Sequence, residues 1–406
     1  MNQITPGWSR RRSAGHSNVN VGRRSRRKQI LGIFSVLLAL MLLVACGSRS
    51  AANENELVVG HLAHLTGADA GPYGLPYRNG LDMGVEAVNA SGVLGDVELV
   101  VNTKDVGSEV PSAVTQYSQF RNEDISVFVS PSSTPIRMAL QPYVESDDVM
   151  LFSSTVGSKD AEAVRGVYVL NDGSTPDTNF GMRLGGQQQT NRAVVVTDGD
   201  NPAFKSLATS FKTGYEEAGG QIADQVSISA SDSDFAPVVT KIRASRPNLV
   251  LISSLSETAG NLITQMAQSG GFDDVLFAGV TSWQKQVFQT AGPAATGSEY
   301  AVYWAADPEG DFEKSFTAKY GETPNSFAAS GYQAAWLIAA AASLATENGD
   351  PLDGKTLSEY MPEVAKTDII AQHGIYPEWQ LRENGTASFA GAAVEFASDG
   401  TSDVVK

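Results

Sequence analysis

The chain has 406 residues, 42% of them hydrophobic, with 45 acidic against 29 basic side chains and a formal net charge of −16. That length calls for two or more domains, and the acidic balance speaks against nucleic acid or an anionic lipid surface as partner. A single cysteine rules out an intrachain disulfide and a thiolate metal cage.

The first 45 residues differ from the rest. Eight basic residues and no acid precede the cysteine: Arg10, Arg11, Arg12, Arg23, Arg24, Arg26, Arg27 and Lys28. An uncharged, mostly apolar run of 16 residues follows (30–45), slightly short of the ~20 that span a bilayer. It ends Leu43-Val44-Ala45-Cys46. A basic region, an apolar region and a small-residue cleavage site describe an export signal over 1–45. Leu-Val-Ala-Cys also looks like a bacterial lipobox, whose cysteine is lipidated and becomes the new N-terminus, so Cys46 is the expected lipidation site. Residues 46–56 are small and polar and suit a flexible tether. From Cys46 onward, 361 residues carry 21 basic and 45 acidic side chains, a charge of −24. An exported chain of that size without disulfides depends on a large core.

Short β-rich runs then recur at intervals that leave room for a helix. In chain order they are Leu57-Val58-Val59-Gly60, Val97-Glu98-Leu99-Val100-Val101, Val127-Phe128-Val129, Val149-Met150-Leu151-Phe152, Ala193-Val194-Val195-Val196, Leu249-Val250-Leu251-Ile252 and Val275-Leu276-Phe277-Ala278. Continuous apolar runs of this length fit parallel strands covered on both faces. Between them, Leu81, Val85 and Val88 keep helical spacing up to a Gly92 stop. Leu207, Phe211 and Tyr215 do so before Gly219-Gly220, and Leu262 and Met266 before Gly270-Gly271. Alternating elements of this kind indicate an α/β fold of two doubly wound parallel-sheet lobes joined by a hinge. The expected lobes are 57–172 plus 300–368 and 175–298 plus 375–398, with crossings near 172–175, 298–301 and 365–375.

The strand ends hold the chemistry. The third run leads into Ser130-Pro131-Ser132-Ser133-Thr134 and the fourth into Ser153-Ser154-Thr155. The first leads into His61-Leu62-Ala63-His64, and the seventh into Gly279-Val280-Thr281-Ser282-Trp283. Ligands of open α/β sheets bind outside the carboxyl ends of the strands, where hydroxyls and free helix N-terminal N–H groups suit an anion or carbonyl. Taken one at a time, such Ser and Thr residues also serve as helix N-caps. Two hydroxyl-rich turns in one lobe favour a ligand site.

Catalytic patterns are missing. There is no Gly-x-Gly-x-x-Gly, Gly-x-Ser-x-Gly or His-Glu-x-x-His. His61 and His64 lack a carboxylate third ligand beside them and are expected to pack or line a cleft, so no metal or cofactor is expected. Residues 349–356, Gly-Asp-Pro-Leu-Asp-Gly-Lys-Thr, match the phosphate-loop pattern literally. That loop needs a preceding strand, whereas an Ala-rich helical segment precedes this one, so a helix–turn–helix connection is expected.

Leu65-Thr66-Gly67, Tyr73-Gly74, Arg78-Asn79-Gly80, Glu86 and Val88-Asn89-Ala90-Ser91-Gly92 resemble the opening of type I solute-binding proteins of the leucine/isoleucine/valine-binding family. Ser130–Thr134 and Leu151–Thr155 resemble that family's two ligand loops. Asp234–Ile242, Pro247–Val250 and Ser330–Ala335 resemble its second-lobe helix and strand and its late helix. The resemblance spans nearly all of the exported part. It implies delivery of amino acids, amides or other small solutes to an ATP-driven (ABC-type) transporter permease, with a monomer as the default. It places the ligand's carboxylate or equivalent acceptor on Thr134 and the turn at Thr155, with Tyr73 closing over it, and Ser132, Ser133 and Ser153 of the same loops are further candidate ligand residues. The chain departs from the family pattern where an acid often pairs with the ligand's ammonium, because Thr281 stands there. Leu255 and Gly157 depart from it too. Phe204 is the expected replacement for a ring after the fifth run. Trp283 is either a second ring on the ligand or core. The expected activity is therefore binding without catalysis, in a component of an importer. A sensing module with the same cleft is the alternative, and a cleft hydrolase a weaker one.

Overall fold

The computed structural model describes residues 55–157, 162–376 and 378–405. The expected signal segment, Cys46 and residues 46–54 of the tether lie outside the described residues.

The first sheet has five parallel strands. They are β1 (Glu56–Ala63), β2 (Glu98–Asp105), β3 (Val127–Ser130), β4 (Met150–Gly157) and β5 (Val167–Asp172), in the order β2-β1-β3-β4-β5. Helices α1 (Leu75–Ser91), α2 (Val110–Asn122) and α3 (Thr134–Ser146) connect them, and α4 (Thr175–Gly185) follows β5. The second sheet holds β6 (Arg192–Asp198), β7 (Gln221–Ile228), β8 (Leu249–Ser253), β9 (Leu276–Gly279) and β10 (Glu299–Val302), with α5 (Pro202–Glu217), α6 (Ala236–Ala244), α7 (Ser256–Ser269) and α8 (Gln286–Ala291) between them. Its parallel part runs β10-β9-β8-β6-β7. Both lobes therefore use one strand order, with the switch of direction between β1 and β3 and between β6 and β8. A crevice opens at the carboxyl ends of the strands at such a point.

The inner strands alternate between two apolar layers. Val127, Val129, Met150 and Phe152 face one layer of the first lobe and Phe128 and Leu151 the other. In the second lobe Val194, Val196, Val250 and Ile252 oppose Ala193, Val195, Leu249 and Leu251. Burial on both faces makes these strands read as unbroken apolar runs.

The late part of the chain returns to the first lobe. Helices α9 (Asp311–Tyr320), α10 (Ser326–Asn348), α11 (Gly354–Val364) and α12 (Asp368–His373) follow β10. The 23-residue α10 is long and apolar enough to cross a membrane, yet 83% of its most apolar window is buried in protein, so it is a core helix. It lies close against α1, because a Cβ on Gly80 would sit 1.9 Å from the Ala328 carbonyl oxygen and one on Gly331 2.1 Å from that of Tyr77. The phosphate-loop look-alike bridges α10 and α11, with Asp353 capping α11 by accepting from Thr356 N at 2.8 Å.

Two crossings lie further along than expected. β10 belongs to the second sheet, so the chain leaves that lobe after Val302. The hairpin β11 (Gln380–Leu381) and β12 (Ala387–Ser388) adjoins β5 through the Val169–Thr386 bridge. Only β13 (Ala392–Phe396), antiparallel to β10, rejoins the second sheet, and β14 (Ser402–Val404) follows it at the edge. The β-rich stretch 375–398 is thus divided between the lobes.

Candidate ligand-binding cleft

Tyr73 lies in a wide turn (Ala70–Gly74) just before α1. The turn is pinned where Gly74 meets the His64 backbone, a Cβ there falling 1.8 Å from the His64 oxygen. From the first lobe the phenol reaches the second. Its Oη accepts from Ser256 N at 3.3 Å, shares a hydrogen bond with Ser256 Oγ at 3.2 Å and donates to the Ser282 carbonyl at 3.3 Å. Burial pushes this phenol up to about 12, so it stays protonated. The two lobes are in contact through this side chain. Tyr73→Phe is expected to leave the Ser256 N–H without that acceptor, to lower the unfolding midpoint of the ligand-free protein and to weaken ligand capture about tenfold; a melt and titration calorimetry read the two effects.

The hydroxyl turns of the first lobe are built as an interlocked set. Ser132 Oγ donates to the Ser154 carbonyl at 3.2 Å, as does Asn171 Nδ2. Ser133 caps α3, accepting from Ile136 N at 3.4 Å, and Thr134 is the buried first residue of that helix. Ser153 Oγ and Thr155 Oγ1 share a hydrogen bond of 2.9 Å. Ser133 is therefore a cap in this structure and Ser132 a tie between the loops.

Three polar atoms at the first-lobe strand ends, His64 Nε2, Ser130 Oγ and Ser154 Oγ, and a fourth on helix α1, Tyr77 Oη, are enclosed and without a partner among the described residues. Ser130 pairs with Ser153 across β3 and β4, so two of the four sit on adjacent strand ends. His64 Nδ1 donates to the Gly107 carbonyl, and in the neutral ring the open Nε2 is then the acceptor. Buried polar atoms in native proteins are nearly always paired, and each one left open costs about 1–3 kcal/mol. Such a cluster at a topological switch point is what a polar solute would satisfy. His61, by contrast, bonds Thr103 Oγ1 at 3.2 Å, and burial, with lesser effects from Arg78 and His64, pushes it down to about 3, so it is neutral. Among the described residues no group of three His, Cys, Asp or Glu is placed to hold a metal ion.

In the second lobe the expected aromatic contacts take another form. Trp283 is fully buried in the core, donating from Nε1 to the Ile252 carbonyl at 3.0 Å, with its ring against Gly279. Of its two readings, the structure has the core one. Phe204 also belongs to a core cluster, and its carbonyl accepts from Ser253 Oγ at 2.8 Å.

Thr281 holds a carboxylate that the linear pattern hides. Its N–H donates to Asp177 Oδ1 at 3.2 Å and its Oγ1 to Asp177 Oδ2 at 2.9 Å. Asp177 is fully buried in the first turn of α4, and burial pushes its carboxyl up to about 8, opposed by the Thr281 hydrogen bonds and helped by the charge of Asp172. Asp172 is itself paired with Arg382 at 2.8 Å. In the sequence Asp177 reads only as an acid in a helix's first turn. Asp177, Asn171 and Tyr77 are the residues that the strand-end reading misses.

Comparison with known proteins agrees with this architecture. A model of the periplasmic binding protein family matches residues 56–401. A Leu/Ile/Val-binding protein homologue of Brucella melitensis is 22% identical over 267 residues, covering 64% of this chain and 71% of its own. The leucine-binding protein LivK of Thermotoga maritima superposes with a TM-score of 0.74 at 18% identity, over 86% of this chain and 97% of its own. LivJ of Streptococcus pneumoniae, a branched-chain amino acid transporter substrate-binding protein solved with isoleucine, gives 0.73 at 20% identity, over 86% and 99%. Two parallel-sheet lobes with one strand order, polar residues at their strand ends and a family match over most of the chain lead to one assignment: this chain belongs to the periplasmic binding protein family, has its type I fold, and is an extracytoplasmic solute-binding protein.

Proposed function

We propose that the chain is the capture component of an ATP-driven importer for a branched-chain amino acid or a related small polar solute, an amide or carboxylate. The observation that carries this reading is the set of enclosed polar atoms without a partner among the described residues at the first-lobe strand ends, His64 Nε2, Ser130 Oγ and Ser154 Oγ. They offer hydroxyl donors and one imidazole acceptor to a solute, and Tyr73 ties the second lobe over them. Ser132, Ser133, Thr134, Ser153, Thr155 and Thr281 belong to the same proposal as the frame of the site. The names of the relatives support an amino acid or similar solute. Closure by hinge motion would bury the ligand and present a surface to a transporter permease. Lipidation of Cys46 would hold the protein, as a monomer, at the outer face of the cell membrane.

A thermal-shift panel of amino acids, amides, short carboxylates, polyamines and nucleosides tests the reading. A true ligand at about 100 times its Kd adds roughly 2.7 kcal/mol and raises the midpoint by a few degrees. A folded protein that responds to no amino acid, amide or carboxylate would overturn it.

A further inference from the structure

A cavity of about 140 Å³ lies between the lobes, roughly ten times the space one water needs. Thr134, Arg137 and Gln141 of α3 line it from the first lobe, and Pro202, Ala203 and Ser206 of α5 from the second. Val164, Val167 and Val169 supply an apolar wall. Arg137 is half-buried, and its Nε is enclosed with no hydrogen-bond partner among the described residues. Burial depresses this guanidinium, and among the described residues no charged neighbour acts on it. Among the described residues the other charged group lining the cavity is Glu162, which is exposed. The first turns of two helices from different lobes, α3 of 13 and α5 of 16 residues, also meet here, and both bring partial positive charge.

A half-buried cation with an open donor is costly to keep without an anion. We propose that this chamber is the specificity subsite of the cleft, and that Arg137 anchors the carboxylate of a small organic acid whose apolar body rests on Val164, Val167 and Val169. The proposal rests on the solute-binding reading above and narrows it to an anion. Thr134 stands at the junction, lining the chamber from the end of the first ligand loop. Arginine suits the task because its planar fork matches a carboxylate with two parallel hydrogen bonds, which a lysine cannot reproduce.

The test is titration calorimetry on the full chain, purified in detergent, with isovalerate and benzoate set against isovaleramide and benzamide, and with leucine as reference. The acids are expected to bind about tenfold or more tighter than their amides. Arg137→Gln is expected to abolish that preference, so that acid and amide bind alike, Arg137→Lys to keep part of it, and Glu162→Gln to strengthen acid binding slightly. Equal binding of acids and amides by the unaltered protein would overturn the proposal without any variant. So would an acid preference that survives in a folded Arg137→Gln protein. Binding of leucine with no binding of the acids would overturn the subsite and leave the solute-binding reading standing. Silence across the wider panel would overturn both.

Discussion

Asp177→Asn is expected to make the protein more stable than the unaltered chain at pH 8, with an advantage that shrinks steadily as pH falls and vanishes only at about pH 4. Asp177 is fully buried, with both oxygens held by Thr281. Burial pushes its carboxyl up to about 8 from an ordinary 3.8. Between those two values the folded state keeps a proton that the unfolded state has released. Stability therefore falls as pH rises through that window, by at most about 1.4 kcal/mol per pH unit. Across it the loss amounts to several kcal/mol. Asparagine accepts from Thr281 N and donates to Thr281 Oγ1, so the local hydrogen bonds survive while the titration disappears. His61 works in the opposite direction. Held down to about 3, it contributes stability that is present above pH ~6.5 and is lost as pH falls toward 3. That contribution is common to both proteins and cancels in their difference. Melting midpoints of the two proteins at pH 5, 6, 7 and 8 decide the matter. Parallel curves would mean that Asp177 is ionised in the fold and that its burial is compensated by another group.

Gly331→Ala is expected to destabilise the first lobe by about 3 kcal/mol or more, near the upper end for a change of one methyl group. The reason is the seam between α1 and α10. A Cβ on Gly331 would meet the Tyr77 carbonyl oxygen at 2.1 Å, and one on Gly80 the Ala328 oxygen at 1.9 Å. These obstacles are backbone atoms, so no rotamer change relieves them, and the helices have to separate. Separation opens the layer that holds Leu81, Phe327, Trp336 and Leu337, and the lost contacts add to the strain. The second lobe repeats the device between α4 and α5, where Gly181 meets the Phe211 oxygen at 2.1 Å and Gly214 the Thr178 oxygen at 2.0 Å. Gly71 is the control. Nothing lies within 4 Å of its Cβ position, so Gly71→Ala should stay within about 0.5 kcal/mol of the original. Urea unfolding of the three proteins checks the prediction, and a Gly331→Ala midpoint equal to that of Gly71→Ala would refute the seam.

Both predictions turn on contacts between residues far apart in the chain, and that is where the linear reading stops. What the sequence determined by itself is local and periodic. β1, β3, β4, β6, β8 and β9 were legible because strands covered on both faces need apolar side chains at every position. The helix ends at Gly92 and Gly349 are written as single residues, which take the left-handed conformation that other residues resist. The hydroxyl-rich strand ends pointed to the cleft because a parallel sheet brings all its carboxyl ends to one side. β7 escaped notice because an edge strand half open to solvent, Gln221–Ile228, keeps polar residues along its length. β10 has only four residues, and the stretch 375–398 carries β pattern without any mark of which sheet receives each piece.

Tertiary structure alone decided which partner each polar group found. Thr281 and Asp177 are 104 positions apart, and Tyr73 and Ser256 are 183. No local pattern distinguishes an acid that starts a helix from one that also holds a threonine in the other strand-end loop. Trp283 carries no sequence sign that its ring would lie on Gly279, or Arg137 that its guanidinium would face a cavity closed by the second lobe. Propensity and periodicity act over a few residues, whereas the crossovers that bring strand ends together act over a hundred or more, and the site is made where those strand ends meet.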